Sequence, residues 1–172
     1  MICPNCSFDN VPGSEVCANC QNDLTQLDQP AAHDRVERSL MHDPVSVLRP
    51  RAPVTLGAGA TVGEAIRTLL ANDVGALPVV DDGGALLGIF SERDLLTKVA
   101  GQDDYSARPV REAMTANPES VRETDTLAFA LHKMDIGGYR HLPVVREGRV
   151  VGMVSVRDLL RHITRLCKSG RR

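Results

Sequence analysis

Gly88-Ile89-Phe90-Ser91-Glu92-Arg93-Asp94-Leu95-Leu96 is answered near the end of the chain by Gly152-Met153-Val154-Ser155-Val156-Arg157-Asp158-Leu159-Leu160. The shared frame is Gly, two apolar residues, Ser, any residue, Arg, Asp, Leu, Leu. It reads as a strand end handing over to a helix, with Ser at the N-cap and Leu opening a buried stripe. A helix N-terminus offers free N–H groups and partial positive charge, which suits a phosphate. The same spacing is also a capping box with Asp in place of Glu, so the frame by itself does not require a ligand.

Around this frame the chain is duplicated from Pro44 onward. Pro44-Val45 matches Pro109-Val110, Pro53 matches Pro118, and Leu77-Pro78-Val79-Val80 matches Leu142-Pro143-Val144-Val145, each displaced by 65 residues. At the signature glycines the displacement is 64, which places a one-residue deletion in the intervening turn. Two matched units of this length imply paired, pseudo-symmetric modules that share an interface.

Each unit reads as a lead-in, a helix, two strands and a closing helix. Thr61-Val62-Gly63-Glu64 is a capping box, and Val62, Ile66, Leu69 and Leu70 follow at helical spacing. Leu127, Leu131 and Met134 take that role in the second unit, where Gly137-Gly138 stops the helix. A strand is expected over 76–80, its Pro78 suiting a strand start or edge, and another over 85–90 after the turn Asp81-Asp82-Gly83-Gly84. Glu147-Gly148 gives the second copy a hairpin turn. The closing helices are expected to bury Leu95, Leu96 and Val99, and Leu159, Leu160 and Ile163.

The N-terminus carries a different chemistry. Cys3-Pro-Asn-Cys6 and Cys17-Ala-Asn-Cys20 are two Cys-x-x-Cys pairs separated by ten residues. Each pair can curl into a turn that points two thiolates at one ion, and two turns complete a tetrahedral zinc site. Disulfides are the alternative, and the absence of an export signal weighs against them. Asn5 and Asn19 are expected to supply left-handed turn geometry before the second cysteine of each pair. Four cysteine ligands, Cys3, Cys6, Cys17 and Cys20, close the site, so the zinc would be structural and would supply the folding energy of so short a segment. The quartet resembles a minimal zinc ribbon over roughly the first twenty residues.

Composition narrows the field of functions. With 42% hydrophobic and 24% charged residues the chain has the make-up of a globular protein. A net charge of −2, a ribbon without Lys or Arg, and 3% scattered aromatic residues argue against nucleic acid as a partner. No apolar run reaches the length of a membrane span, no signal peptide is visible, and the cytoplasm is the expected compartment. Residues 21–32 read as a polar linker and 34–41 as a short helix flanked by His33 and His42, which are solvated rather than ligands. The tail carries Arg161, Arg165, Lys168, Arg171 and Arg172 without an acid, and Cys167 lies on or near the apolar side with Ile163. No phosphate-binding Walker loop or His–carboxylate metal spacing is present, so catalysis is not expected.

The two units resemble a tandem pair of cystathionine-β-synthase-type (CBS) domains, a Bateman module. The resemblance is carried by Leu77-Pro78-Val79-Val80 with Gly88 to Asp94, and by Arg140-His141-Leu142-Pro143-Val144-Val145 with Gly152 to Asp158. Val110-Arg111-Glu112-Ala113-Met114-Thr115 fits the family's lead-in, whereas Leu48-Arg49-Pro50 fits it poorly. The resemblance implies an α+β fold of two pseudo-symmetric units, each a small sheet packed with helices, beside the ribbon. The expected organisation is ribbon 1–24, linker 25–43, CBS units 44–106 and 107–167, and basic tail 168–172.

It further implies a non-catalytic regulatory module, a homodimer through the CBS pair, that binds an adenosine-containing ligand (AMP, ADP or ATP) in clefts between the units. Ser91 and Asp94 would serve one cleft, Ser155 and Asp158 the other, Ser meeting phosphate and Asp the ribose hydroxyls. Backbone around Ala76, Leu77 and Pro78, and around His141, Leu142 and Pro143, would hold adenine. Arg93 and Arg157 could reach phosphates, and Arg140 and His141 could join the second cleft or be solvated strand-end residues. The ribbon would contact a protein partner. A dimeric scaffold with empty clefts, or a nucleic-acid-linked regulator, are the alternatives.

Overall fold

A computed structural model describes residues 1–11, 13–25 and 34–169, which fall into two compact units, Met1–Asp34 and Arg35–Arg172. His33, Arg171 and Arg172 lie outside the described residues.

The ribbon is itself a duplication. Cys3 N donates to Phe8 O and Cys17 N to Asn22 O, while Ser7 N returns to Cys3 O and Gln21 N to Cys17 O, all at 2.9 Å. The antiparallel bridges Ile2–Asp9 and Val16–Asp23 close the two knuckles. In each pair the left-handed residue follows the second cysteine, Ser7 (φ 59°) and Gln21 (φ 56°), and is not Asn5 or Asn19. The chain must reverse once both sulfurs have been aimed inward, so the strain falls one residue past the pair. Cys3, Cys17 and Leu24 are fully buried and form the small core.

In the second unit the elements are α1 (Arg35–His42), β1 (Leu56–Gly57), α2 (Val62–Asn72), β2 (Ala76–Val80), β3 (Leu86–Ser91), α3 (Glu92–Asp94), β4 (Thr115–Ala116), α4 (Leu127–Gly137), β5 (His141–Arg146), β6 (Arg149–Ser155) and α5 (Val156–Ser169). Short 3-10 turns cover Val45–Leu48 and Val110–Glu112. The first sheet runs β1-β2-β3-β4, with β1 parallel to β2 and the rest antiparallel; the second is the hairpin β5-β6. β1 pairs only with Val79 and Val80, so Pro78 sits where β2 is a free edge on that side and needs no donor there.

The helices obey the expected caps and revise the expected stripes. Thr61 and Glu64 form the capping box of α2, and Gly138, at φ 61°, ends α4. Val62, Ala65 and Leu69 are buried on α2, and Leu127, Ala130 and Met134 on α4. Leu70 is 78% exposed and Leu131 38%, because the buried stripe follows positions i, i+3 and i+7. Leu96 and Leu160 are likewise exposed, and so is Cys167. The first closing helix is not regular: after α3 it opens into a π-helix over Leu95–Val99, whose Ala100 N donates to Leu95 O, whereas α5 stays α-helical.

Each hydrophobic core takes its lead-in from the other repeat. Val110 and Ala113 complete the core of Leu56, Val62, Leu69, Leu77, Val79, Phe90 and Val99. Val45 completes the core of Val121, Leu127, Met134, Leu142, Val144, Val154 and Leu159. Backbone bonds fix the exchange: Val45 N to Asp125 O at 2.8 Å, Leu127 N to Asp43 O at 3.0 Å and Val110 N to Ala60 O at 2.9 Å. A fully buried valine contributes about 1.5–3 kcal/mol, so Val45 and Val110 tie the two repeats into one unit. α1 joins the second core through Leu40, and Ser39 Oγ links Asp43 (2.5 Å) to His162 of α5 (2.8 Å).

Candidate functional site

A cleft of about 150 Å³ lies where the two repeats meet. One wall is Ser91, Glu92, Arg93, Asp94 and Thr115; the other is the run from Gly137 to His141. Gly75 closes the end: a Cβ there would stand 3.0 Å from the His141 ring and 3.5 Å from a Glu92 carboxylate oxygen. The sequence expectation set Arg140 and His141 beside Ser155 and Asp158. They line the cleft of Ser91 and Asp94, because β5 begins at the interface between the repeats, although the register also sets His141 opposite Ser155. Ser155, Arg157 and Asp158 are not among its lining residues, nor are Ala76, Leu77, Pro78 and Pro143, which are buried strand positions.

The cleft is lined by two arginines, Arg93 and Arg140, and by two carboxylates, Glu92 and Asp94. Arg93 Nη1 crosses from one repeat to the other and donates to Gly138 O at 2.9 Å. The Arg140 guanidinium lines the cleft and has no hydrogen bond or ion pair among the described residues. Burial lowers the pKa of His141, Arg140 and Arg157 push the same way, and Glu92 and Asp158 oppose them. The neutral form of the imidazole is therefore favoured.

The two Ser-x-x-Asp elements are built alike at one carboxylate oxygen and differ at the other. Asp94 Oδ2 accepts from Ser91 N (2.9 Å) and Ser91 Oγ (2.6 Å), and Asp158 Oδ2 accepts from Ser155 N (2.9 Å) and Ser155 Oγ (2.6 Å). Asp94 Oδ1 takes Lys98 Nζ at 2.6 Å and Thr115 Oγ1 at 3.2 Å. Asp158 Oδ1 has, among the described residues, only Arg161 Nη1, at 3.5 Å. The Lys98 ammonium is held further by the carbonyls of Ala113 (3.0 Å) and Met114 (3.3 Å). Lys98 and Thr115 were not expected at the site; the i,i+4 spacing of Asp94 and Lys98 is the signal that points to the first.

In the ribbon the four Sγ atoms lie within 4.8 Å of one another, Cys3–Cys20 at 3.6 Å and Cys6–Cys17 at 3.5 Å. These separations are far beyond a sulfur–sulfur bond of ~2.05 Å and near the ~3.8 Å edge that ~2.3 Å zinc–sulfur bonds give a tetrahedron. Asn5 Nδ2 donates to Cys20 Sγ (3.5 Å) and Asn10 Nδ2 to Cys17 Sγ (3.6 Å). Burial pushes the Cys3 thiol up to about 11. Burial also raises Cys17, but the N–H groups of Cys20 and Asn19, with Asn10 and Cys6, outweigh it and bring it down to about 6. The donor set fits a thiolate-bound zinc, which these four residues would hold and which would supply structure, not reactivity.

The CBS domain family model matches residues 38–101 and 110–165, and the chain belongs to that family as a tandem pair. The CBS domain-containing protein CBSCBSPB5 of Arabidopsis thaliana is 40% identical over 118 residues, 67% of this chain and 21% of that protein. The chain thus spans about a fifth of the length of that relative. Among solved structures, the CBS-domain containing protein ATU1752 from Agrobacterium tumefaciens is 37% identical with a TM-score of 0.63, covering 69% of this chain and 94% of that one. The CBS domain protein PAE2072 from Pyrobaculum aerophilum, solved in complex with AMP, is 30% identical with a TM-score of 0.63, covering 71% and 98%. No described helix is long and apolar enough to cross a membrane.

Proposed function

We propose that the chain is a non-catalytic regulatory module that binds an adenine nucleotide, AMP, ADP or ATP, between its two CBS units. The observation that carries this reading is the Arg140 guanidinium, without a partner among the described residues, in one cleft with Arg93 and His141 bounded by both repeats. Two guanidinium groups on one small cleft suit a phosphate group, to which the neutral His141 ring can donate a hydrogen bond, and the AMP held by PAE2072 supports the choice of adenine nucleotide. Ser91, Arg93, Asp94, Arg140 and His141 serve this first cleft, with backbone near Ala76, Leu77 and Pro78 toward the base. Ser155, Arg157 and Asp158, with Pro143 behind them, serve a second cleft, where the open Oδ1 of Asp158 can accept a ribose diol.

The organisation that accompanies this reading is ribbon 1–24, linker 25–43, units 44–106 and 107–167, and basic tail 168–172. The zinc ribbon, with its acidic surface, contacts a protein partner; the module forms a homodimer in the cytoplasm, and nucleic acid is not its target. A second reading, a scaffold whose clefts stay empty, is favoured by the pairing of Asp94 with Lys98. Calorimetric titration decides between them. Wild type is expected to bind AMP, and Arg140→Ala to weaken binding about tenfold or more, the worth of a charge-assisted hydrogen bond. No heat of binding from AMP, ADP or ATP would leave the scaffold.

A further inference from the structure

A carboxylate has about four acceptor positions. At Asp94 four donors fill them: Ser91 N, Ser91 Oγ, Lys98 Nζ and Thr115 Oγ1. The side chain is only 9% exposed, so an incoming hydroxyl would have to displace one of these donors. In the second repeat neither of the last two donors is repeated. His162 stands 64 residues after Lys98 and is turned to Ser39, 2.8 Å from its Oγ. Register places Arg51 opposite Met153 where Thr115 lies opposite Ile89.

Lys98 does not merely lean on Asp94. Its ammonium sits among Asp94 Oδ1, Ala113 O, Met114 O and Thr115 Oγ1, so it also fastens the borrowed lead-in to the first repeat. Releasing Asp94 to a sugar would leave that ammonium with uncharged oxygens alone and loosen the segment carrying Ala113, a member of the first core. The π-helix over Leu95–Val99 spans this lysine, and such irregular turns occur often at functional sites.

We infer that the cleft at Asp94 recognises a nucleotide by its phosphate and is blind to its sugar hydroxyls, because Lys98 and Thr115 occupy the acceptor positions a ribose diol would use. The inference rests on the nucleotide reading above and assigns Lys98 as a specificity-determining residue that acts through Asp94. The ligand class of this cleft is then adenine nucleoside phosphates with either ribose or deoxyribose. The cleft at Asp158, with its half-open carboxylate, remains the one that reads the diol.

The test uses the full chain carrying Asp158→Asn, which silences the diol-reading carboxylate while keeping its shape. AMP, 2′-deoxy-AMP and 3′-deoxy-AMP are titrated calorimetrically. All three are expected to bind within about threefold of one another, since no hydroxyl–carboxylate bond is at stake. Loss of about tenfold or more on removing either hydroxyl, the worth of a bond to a charged group, would overturn the inference while leaving nucleotide binding intact. Failure of all three to bind would overturn both. In the same background Lys98→Met, checked for folding by circular dichroism, is expected to create the missing preference, with AMP about tenfold tighter than its deoxy analogues. A folded Lys98→Met protein that stays indifferent to the sugar would also contradict the assignment.

Discussion

Replacing Asp94 by Asn would leave the Lys98 ammonium among carbonyls with no charged partner, at a site where the carboxylate is buried. Breaking such a pair from one side costs more than the pair is worth, because the remaining charge stays partly desolvated. Asp94→Asn is therefore expected to destabilise the folded state by about 2 kcal/mol. Asp158→Asn is expected to cost less than about 1 kcal/mol, since its charged neighbour Arg161 is 3.5 Å away and exposed to water. Urea denaturation of the two variants checks the ordering, and equal losses would contradict it. The repeated Ser-x-x-Asp frame was legible from the start, as were the reciprocal Ser–Asp bonds it makes. What the frame could not disclose is the difference between its copies, because that difference resides in Lys98 and Thr115, four and twenty-one residues beyond Asp94.

At the level of elements, the caps were readable and the buried faces only in part. Thr61 with Glu64 and the pair Gly137-Gly138 announce the ends of α2 and α4 through local bonds. Leu70, Leu96, Leu131 and Leu160 are apolar residues at helical spacing that lie outside the stripe, and which of two adjacent leucines turns inward is decided by the neighbouring element. The π-helix has no sequence marker comparable to a proline or glycine. In the ribbon the Cys-x-x-Cys spacing gave the thiol cluster directly, while its left-handed turns at Ser7 and Gln21 fall on residues that do not advertise them. If zinc supplies the folding energy of this element, mass spectrometry under non-denaturing conditions will find one zinc per chain. A strong chelator, or Cys17→Ser, is then expected to remove it and collapse the amide chemical-shift dispersion of residues 1–25. Dispersion that survives complete removal of the metal would show that the ribbon folds without it.

Across the whole second unit, the internal repeat foretold two pseudo-symmetric halves but not the exchange of their lead-ins. Val45 and Val110 sit at equivalent positions in the sequence and each completes the other repeat's core, a long-range arrangement that local periodicity does not encode. The exchange has a consequence for the site. It brings Thr115 against Asp94, and the start of β5 brings Arg140 and His141 into the same cleft, so that no single repeat can make the site alone. Binding of an adenine nucleotide across this junction can be followed through the backbone amide resonances while AMP is added. Saturable shifts are predicted at Ser91, Glu92, Arg93 and Asp94 together with Gly137, Gly138, Arg140 and His141, on both walls of one cleft. A spectrum unchanged at millimolar AMP, or shifts confined to one repeat and absent from these residues, would contradict it.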